Sequence, residues 1–400
     1  MGKIIDKIFN EDFVLKNSIL FFFTYDFIVK LFVSHDIANL TYYRFGIIFK
    51  IIIIISAYVF YNKHKVDYNF ILPIALLSIA FIVSQLTLCS SLNLANLLFN
   101  GHYFLSGLFA LLFVFLFKKT IIYSIFKYQV QGFIWFMAIN SVVILIGYFL
   151  NLNVFKSYFF GGTRFGFQGL LLYHSEAGYL YFIAICVAYY LNLKKKDMVM
   201  ASVLVLLVVC SFLIGTKKAS LLTLIFILYF FIDNIKLLKQ KITYYFLAGS
   251  LLMIFLFRHV IQDVFAKQFS LFNRVYLEEG FFTSFTSYRN VLLQNYFVPY
   301  IEENWGVLNY IFGGPKFANS RVELELFDLI LFFGLTGVVA YVLFFKNLCT
   351  SSAKYSNFII FSLIFASLFS GNLLTSVNTI VIMFISVLFI NYDRALSLKQ

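Results

Sequence analysis

The sequence predicts an all-α polytopic membrane protein with about twelve transmembrane helices and cytoplasmic N- and C-termini. Three observations predict it. The first is composition: 62% of the 400 residues are hydrophobic, 12% are charged, and the mean hydropathy is +0.90. Soluble domains carry about 25% charged residues, so this chain has too few polar groups to coat a soluble globule of its size. The second is segmentation. The apolar residues fall in runs of about 15–22, the length that crosses about 30 Å of hydrocarbon as a helix. Three prolines and no alternating strand-like segments point to helices rather than a barrel. The third is the alternation of charge between the runs, which the order of elements makes visible.

Met1–Lys16 mixes acids with bases and does not read as a cleavable signal peptide. The first span is expected at 18–33. Spans follow at 44–61, 70–88, 102–117, 131–150, 171–192, 198–214, 219–233, 243–257, 325–345, 357–370 and 372–391. With the N-terminus inside, the inner loops receive Lys63 and Lys65, then Lys118, Lys119 and Lys127, then Lys194, Lys195 and Lys196. Lys236, Lys239 and Lys241 come next, and Lys346 and Lys354 after them. Lys3, Lys7, Lys16, Arg394 and Lys399 add charge at the termini, whereas the outer loops 34–43 and 89–101 hold no Lys or Arg. This is the positive-inside pattern. It also explains the net charge of +13 without a nucleic-acid partner, because the bases lie between apolar runs rather than along a soluble face.

The chain therefore reads as a single integral-membrane domain, 1–400, with one long extracytoplasmic loop, 258–324, between spans nine and ten. Val264, Phe265, Phe269, Phe272, Phe281, Phe282 and Phe285 are interleaved with charge along that loop. Two or three short helices are expected there, some lying at the membrane surface. A loop of this length without disorder-like composition is usually functional. The four cysteines, Cys89, Cys186, Cys210 and Cys349, lie in or beside apolar runs without metal-ligand spacing and read as small core residues.

The bases left outside are informative. They are Lys156, Arg164, Lys217 and Lys218, and in the long loop Arg258, Lys267, Arg274, Arg289, Lys316 and Arg321. Short basic loops resist translocation, so Lys217-Lys218 in a tight outer turn favours a function. The plain alternative is that the span pair inserts as a unit and the lysines snorkel to the interface. Four clusters share this side. They are Gly161-Gly162-Thr163-Arg164-Phe165-Gly166-Phe167, Gly215-Thr216-Lys217-Lys218, Ser287-Tyr288-Arg289, and Glu323-Leu324-Glu325-Leu326-Phe327-Asp328 ahead of Gly334 and Gly337. Glycine beside a cation suits an anion, since the backbone approaches closely and a following helix adds its dipole. Guanidinium and ammonium groups then neutralise phosphate oxygens.

Acids entering a membrane helix are costly and mark function by default. Glu325 and Asp328 share a helix face, and Glu323 and Glu325 also read as interfacial residues balancing Arg321. His174, followed by Glu176, opens span six and is a candidate base or a hydrogen-bonded structural residue. The same pair of readings holds for His259, while His35, His64 and His102 read as ordinary loop or interface residues. Asp26 and Lys30 are spaced to face each other within span one as an internal ion pair. Lys50 belongs with Arg44 and a polar neighbour. No nucleotide-binding motif occurs, which excludes an ATP-driven pump acting alone. The first outer loop holds only Asp36, unlike that of metal-dependent membrane glycosyltransferases.

In order and side, these clusters resemble the O-antigen polymerase/ligase superfamily of bacterial envelope glycosyltransferases, over roughly residues 100–390. The matching features are the Arg164 glycine segment, Gly215-Thr216-Lys217 and Ser287-Tyr288-Arg289. Trp305, Ile311-Phe312-Gly313-Gly314, and Glu323 to Asp328 running into Phe333-Gly334-Leu335-Thr336-Gly337 continue the match. The run from Tyr288 to Gly337 looks most like the polymerase (Wzy-type) branch. Ligases of the superfamily place a His near an Asn in the long loop, and here only His259 stands at its start, with no such Asn beside it.

The resemblance implies a GT-C-like enzyme of the inner membrane with its active site facing the periplasm. It implies metal-independent, inverting transfer on an undecaprenyl-diphosphate-linked glycan within the membrane lipid, with no cofactor. Arg289, Glu323, Asp328 and His174 become the candidate catalytic residues, and Arg164, Lys217, Lys218 and Arg321 the candidate diphosphate-binding residues. A chain-length co-polymerase (Wzz-type) and a flippase (Wzx-type) become expected partners. A ligase, or a flippase or other transporter, stays open as an alternative reading.

Overall fold

A computed structural model of the chain describes residues 11–34, 71–85, 94–117, 123–158, 164–234, 258–314, 321–349 and 353–397. The expected spans 44–61 and 243–257 lie outside these residues, as do positions 161–163, Arg44, Lys50, Cys89, His35, His64 and Lys316. Most of the loop lysines that set the charge alternation also lie outside them.

The described residues are helical, and the one bridge of strand type is an isolated pairing of Lys156 with Phe167. The helices of the first half are α1 Glu11–Ser34, α2 Ile71–Val83, α3 Leu94–Phe117, α4 Tyr123–Phe149, α5 His174–Lys195, α6 Met198–Leu213 and α7 Lys217–Asp233. Then come α8 Arg258–Thr286, α9 Arg289–Leu292, α10 Val298–Asn304, α11 Val307–Phe312, α12 Glu325–Cys349, α13 Lys354–Ser370 and α14 Val377–Ser397.

Among the described residues, four stretches are long and apolar enough to cross a membrane: α4, His174–Lys194 of α5, α12 and α14. α2, α6 and α13 are shorter apolar helices. Their faces agree with that reading. α4 exposes Trp135, Ile139, Val142 and Ile146 and buries Asn140 and Ser141. α12 exposes Leu335, Val339 and Val342. Apolar residues face out at helical spacing while polar ones turn in, the reverse of a water-soluble helix.

Ten expected spans overlap described helices, and side-chain caps fix the starts of two of them. Asp197 caps α6 by accepting from Val199 N at 2.9 Å, and Thr216 caps α7 by accepting from Ala219 N at 3.3 Å. In the long loop, the expected short helices are present as α9 to α11, but a long one precedes them. α8 has 29 residues and bends at Gly280 (φ 84). No proline interrupts 258–298, so the helix continues until a glycine in the left-handed region turns it.

The chain groups into two compact units, Met1–Phe136 with Tyr288–Gln400, and Met137–Ser287. In the first, α12 packs on α2, α11 and α13, and α14 packs on α3 and α13. Phe332 and Phe333 are fully buried and meet the rings of Phe81, Tyr103 and Phe104. Gly107 lets Tyr341 approach closely enough for its Oη to donate to Gly107 O at 2.9 Å. Asp26 and Lys30 are both buried, and Asn378 Nδ2 donates to Asp26 Oδ2 at 2.7 Å.

In the second unit α5 is the centre, packed by α6 and α7 and buried all round from Ala177 to Ala188. Close approach of small residues drives helix association where lipid is as apolar as the side chains. Gly178 supplies it, since a Cβ there would stand 3.1 Å from Ala219 N.

Candidate functional site

The structure brings the expected residues into two clusters, one in each unit. The first is built on the segment entering α12 and on the turn between α13 and α14. Arg289 opens α9, after Tyr288 in the left-handed region (φ 67). Its Nη2 donates to Glu323 Oε2 at 2.6 Å, with the side chains 21% and 48% exposed. Glu323 is itself left-handed (φ 59), and its carbonyl lies where a Cβ on Gly371 (φ +54) would come within 2.6 Å. Residues other than glycine held in this region cost about 1–2 kcal/mol each and gather at functional sites. Asn372 (φ 63) is a third, and its Oδ1 accepts from Arg321 Nη2 at 2.6 Å. Arg321 also lies 5.4 Å from the centre of the Tyr103 ring, a cation–π contact.

The other two acids of this cluster have different surroundings. Glu325 is buried, and its two carboxylate oxygens accept from Leu373 N at 2.9 Å and Leu374 N at 3.0 Å. Asp328 is buried too. Its Oδ1 accepts from Val322 N at 2.9 Å, and it interacts electrostatically with Arg321. Both carboxylates hold backbone in place from buried positions, whereas the Glu323 side chain is exposed. Sequence reasoning placed Glu325 and Asp328 on one helix face and read Glu323 and Glu325 as interfacial. It missed Asn372 and Tyr103, whose only local signal was the glycine before Asn372.

The second cluster rests on two glycines that let backbones touch. A Cβ on Gly215 (φ +75) would stand 2.0 Å from Phe165 O, and one on Gly166 would stand 2.3 Å from Ile214 O. Ser157 clamps the crossing: its N donates to Gly166 O at 2.8 Å and its Oγ to Ile214 O at 2.8 Å. Arg164 lies two residues before this crossing and Lys217 two residues after it. Arg164 is exposed with its guanidinium carbon 5.6 Å from the centre of the Tyr158 ring, and the Tyr158 ring packs tilted against His174 at 4.7 Å. Lys217 Nζ donates to Ser284 O and, at 3.0 Å, to Ser287 Oγ. Lys218 is buried with its Nζ 3.8 Å from the centre of the Tyr179 ring. Glu176 is buried in the first turn of α5.

Comparison with known protein families, with curated protein sequences and with solved structures returns no match.

The segment carrying Arg164 is held from below by a polar clamp. Asn140, mid-way along α4, accepts from Leu170 N at 2.6 Å and donates to Gln168 O at 3.3 Å and Tyr181 Oη at 3.1 Å. Non-helical backbone at membrane depth requires such internal partners. Gly169 (φ +63) makes room, since a Cβ there would meet Asn140 Oδ1 at 2.4 Å. Among the described residues, no group of three His, Cys, Asp or Glu side chains is placed to hold a metal ion. Chemically, the first cluster offers a carboxylate oriented by a guanidinium, and the second offers a cationic surface with an imidazole beside it.

Proposed function

We propose that the protein is a polymerase of undecaprenyl-diphosphate-linked oligosaccharide repeat units, making O-antigen or capsule at the outer face of the bacterial inner membrane. The observation that supports this reading best is the Arg289–Glu323 pair, an accessible carboxylate on a strained turn ahead of a membrane-length helix. The topology that accompanies it has twelve spans, both termini cytoplasmic, and 258–324 on the periplasmic side.

In this reading, Glu323 takes the proton from an acceptor sugar hydroxyl of the incoming lipid-linked unit. The hydroxyl oxygen attacks the anomeric carbon of the growing chain, and the bond from that carbon to the diphosphate oxygen breaks. The electron pair leaves with undecaprenyl diphosphate, and a new glycosidic bond forms with inversion. A carboxylate held by a guanidinium is a modest base, which suffices when the leaving group is already good. The proposed diphosphate-binding residues form two sets, Arg321 in the first unit and Arg164, Lys217 and Lys218 in the second, each offering cationic charge to phosphate oxygens. Buried Lys218 acts through its field, and exposed Arg164 by direct contact. Asp328 orients Arg321 rather than moving a proton, and His174 is the second candidate base. A chain-length co-polymerase and a flippase are the proposed partners.

The test is chromosomal deletion, complemented with wild type or Arg289→Ala, with surface glycan read on a gel. The expected result is lipid core carrying a single repeat unit on deletion, full polymer with wild type, and single units with Arg289→Ala. Polymer accumulating on undecaprenyl diphosphate without reaching the core would identify a ligase instead. Loss of both polymer and single units outside would identify a transporter.

A further inference from the structure

The short helix α11 has its polarity reversed. Its outward residues are all apolar: Val307 is 78% exposed, Leu308 53%, Tyr310 48% and Ile311 39%. Its single polar side chain, Asn309, is the buried one. A surface helix in water shows the opposite arrangement.

Backbone groups at both ends of α11 find partners within the protein. Asn309 Oδ1 accepts from Gly306 N at 3.0 Å, ahead of the helix, and Asn309 Nδ2 donates to Gly313 O at 3.2 Å, beyond it. Gly314 N donates to Leu331 O at 3.1 Å, and Thr336 Oγ1 donates to Ile311 O at 2.7 Å. Gly334 (φ +63) breaks α12 here, and a Cβ on it would stand 2.3 Å from Ile311 O. Helix ends that face water leave such groups to solvent, whereas hydrocarbon requires them to be satisfied within the protein.

Exposed apolar residues of α12 lie beside α11 in the chain's contacts. Leu335 and Val339, exposed on α12 beyond the break, follow directly from the Ile311–Thr336 contact. On the other side, exposed Glu302, Glu303 and Asn304 end α10 and mark a polar boundary. Trp305 and Tyr310 pack edge to face at 5.3 Å next to that boundary, where membrane-interface aromatics concentrate.

We infer that α11 is a membrane-embedded half-helix whose Val307, Leu308 and Ile311 contact the acyl chains of the adjoining leaflet, with Glu302 and Glu303 at headgroup level. The long loop is then anchored in the bilayer at its C-terminal end. Lipid contact by α11 is independent of the transfer chemistry.

The test uses the full chain in nanodiscs containing phospholipids brominated on their acyl chains. A fluorescent label is placed on Val307→Cys, Leu308→Cys and Glu303→Cys, one at a time. The native thiols of Cys186 and Cys210 are buried, and labelled wild type supplies the background. The expected result is at least about threefold stronger quenching at Val307 and Leu308 than at Glu303, with slow reaction of these two thiols towards a membrane-impermeant maleimide. Equal quenching at all three sites with fast maleimide reaction would overturn lipid contact and leave α11 in water. Slow maleimide reaction without quenching would also overturn it, and would mean that protein, such as a second copy, covers the face. Val307 is the most exposed of the set, so its variant reports even if Leu308→Cys does not fold.

Discussion

Arg289 holds Glu323 through a 2.6 Å hydrogen bond between residues 34 positions apart, and Glu323 is exposed where Glu325 and Asp328 are buried. Removing its charge should therefore act on chemistry rather than folding. Glu323→Gln is expected to lower transfer between lipid-linked units by about 10²–10⁴-fold, the range of a lost general base. The assay is polymer formation by purified protein from a lipid-linked repeat unit, at matched protein amounts. A rate equal to wild type would remove Glu323 from the catalytic role.

Glu325→Gln should do the reverse. Two buried backbone N–H groups, of Leu373 and Leu374, rely on its two oxygens, and an amide offers only one acceptor. One buried donor left without a partner costs about 1–3 kcal/mol. The unfolding temperature in detergent should fall for Glu325→Gln and hold for Glu323→Gln. Equal temperatures would show that Glu325 does not brace the turn between α13 and α14.

Gly215→Ala should prevent the two loops of the second cluster from crossing. Its φ of +75° and a Cβ placed 2.0 Å from Phe165 O leave no local escape, because the obstacle is backbone. The expected cost exceeds about 2 kcal/mol. Gly132→Ala, in α4, is the control. Its Cβ would meet nothing within 4 Å, and the exchange should be neutral or stabilising by about 0.5–1 kcal/mol. Size-exclusion profiles and unfolding midpoints of the two variants decide the matter.

Asn140→Ala should loosen the segment 164–173, since it strips partners from Leu170 N, Gln168 O and Tyr181 Oη together. Hydrogen exchange at the Leu170 amide should rise by at least about tenfold, a change that about 1.4 kcal/mol produces. Tyr181→Phe removes one of these links and should raise it less. Unchanged exchange in Asn140→Ala would mean that the segment is held by its other bonds, to Ser157, Phe155 and Leu213, without Asn140.

The placement of helices was legible in the sequence because the length and apolarity of a membrane helix are local properties. The run expected at 198–214 is α6, Met198–Leu213, and that at 357–370 lies within α13, Lys354–Ser370. The clusters were legible as groups of charged residues beside glycines. Their wiring was not. Gly166 and Gly215 were expected to cradle an anion, yet they serve first to bring two protein backbones together. Glu323 and Glu325 both read as interfacial acids, with Asp328 on the face of Glu325, and only tertiary structure divides the three into one accessible and two buried.

The sequence by itself determined an all-helical framework with membrane-length helices and the cationic groups beside its glycines. Tertiary structure decided which acid is open, how Arg321 is anchored on Asn372, and that α11 turns its apolar side outward. The reason is physical. Hydropathy and helix capping act within one or two turns, whereas Arg321 and Asn372 lie 51 positions apart and meet only when the turn after α13 folds against the start of α12.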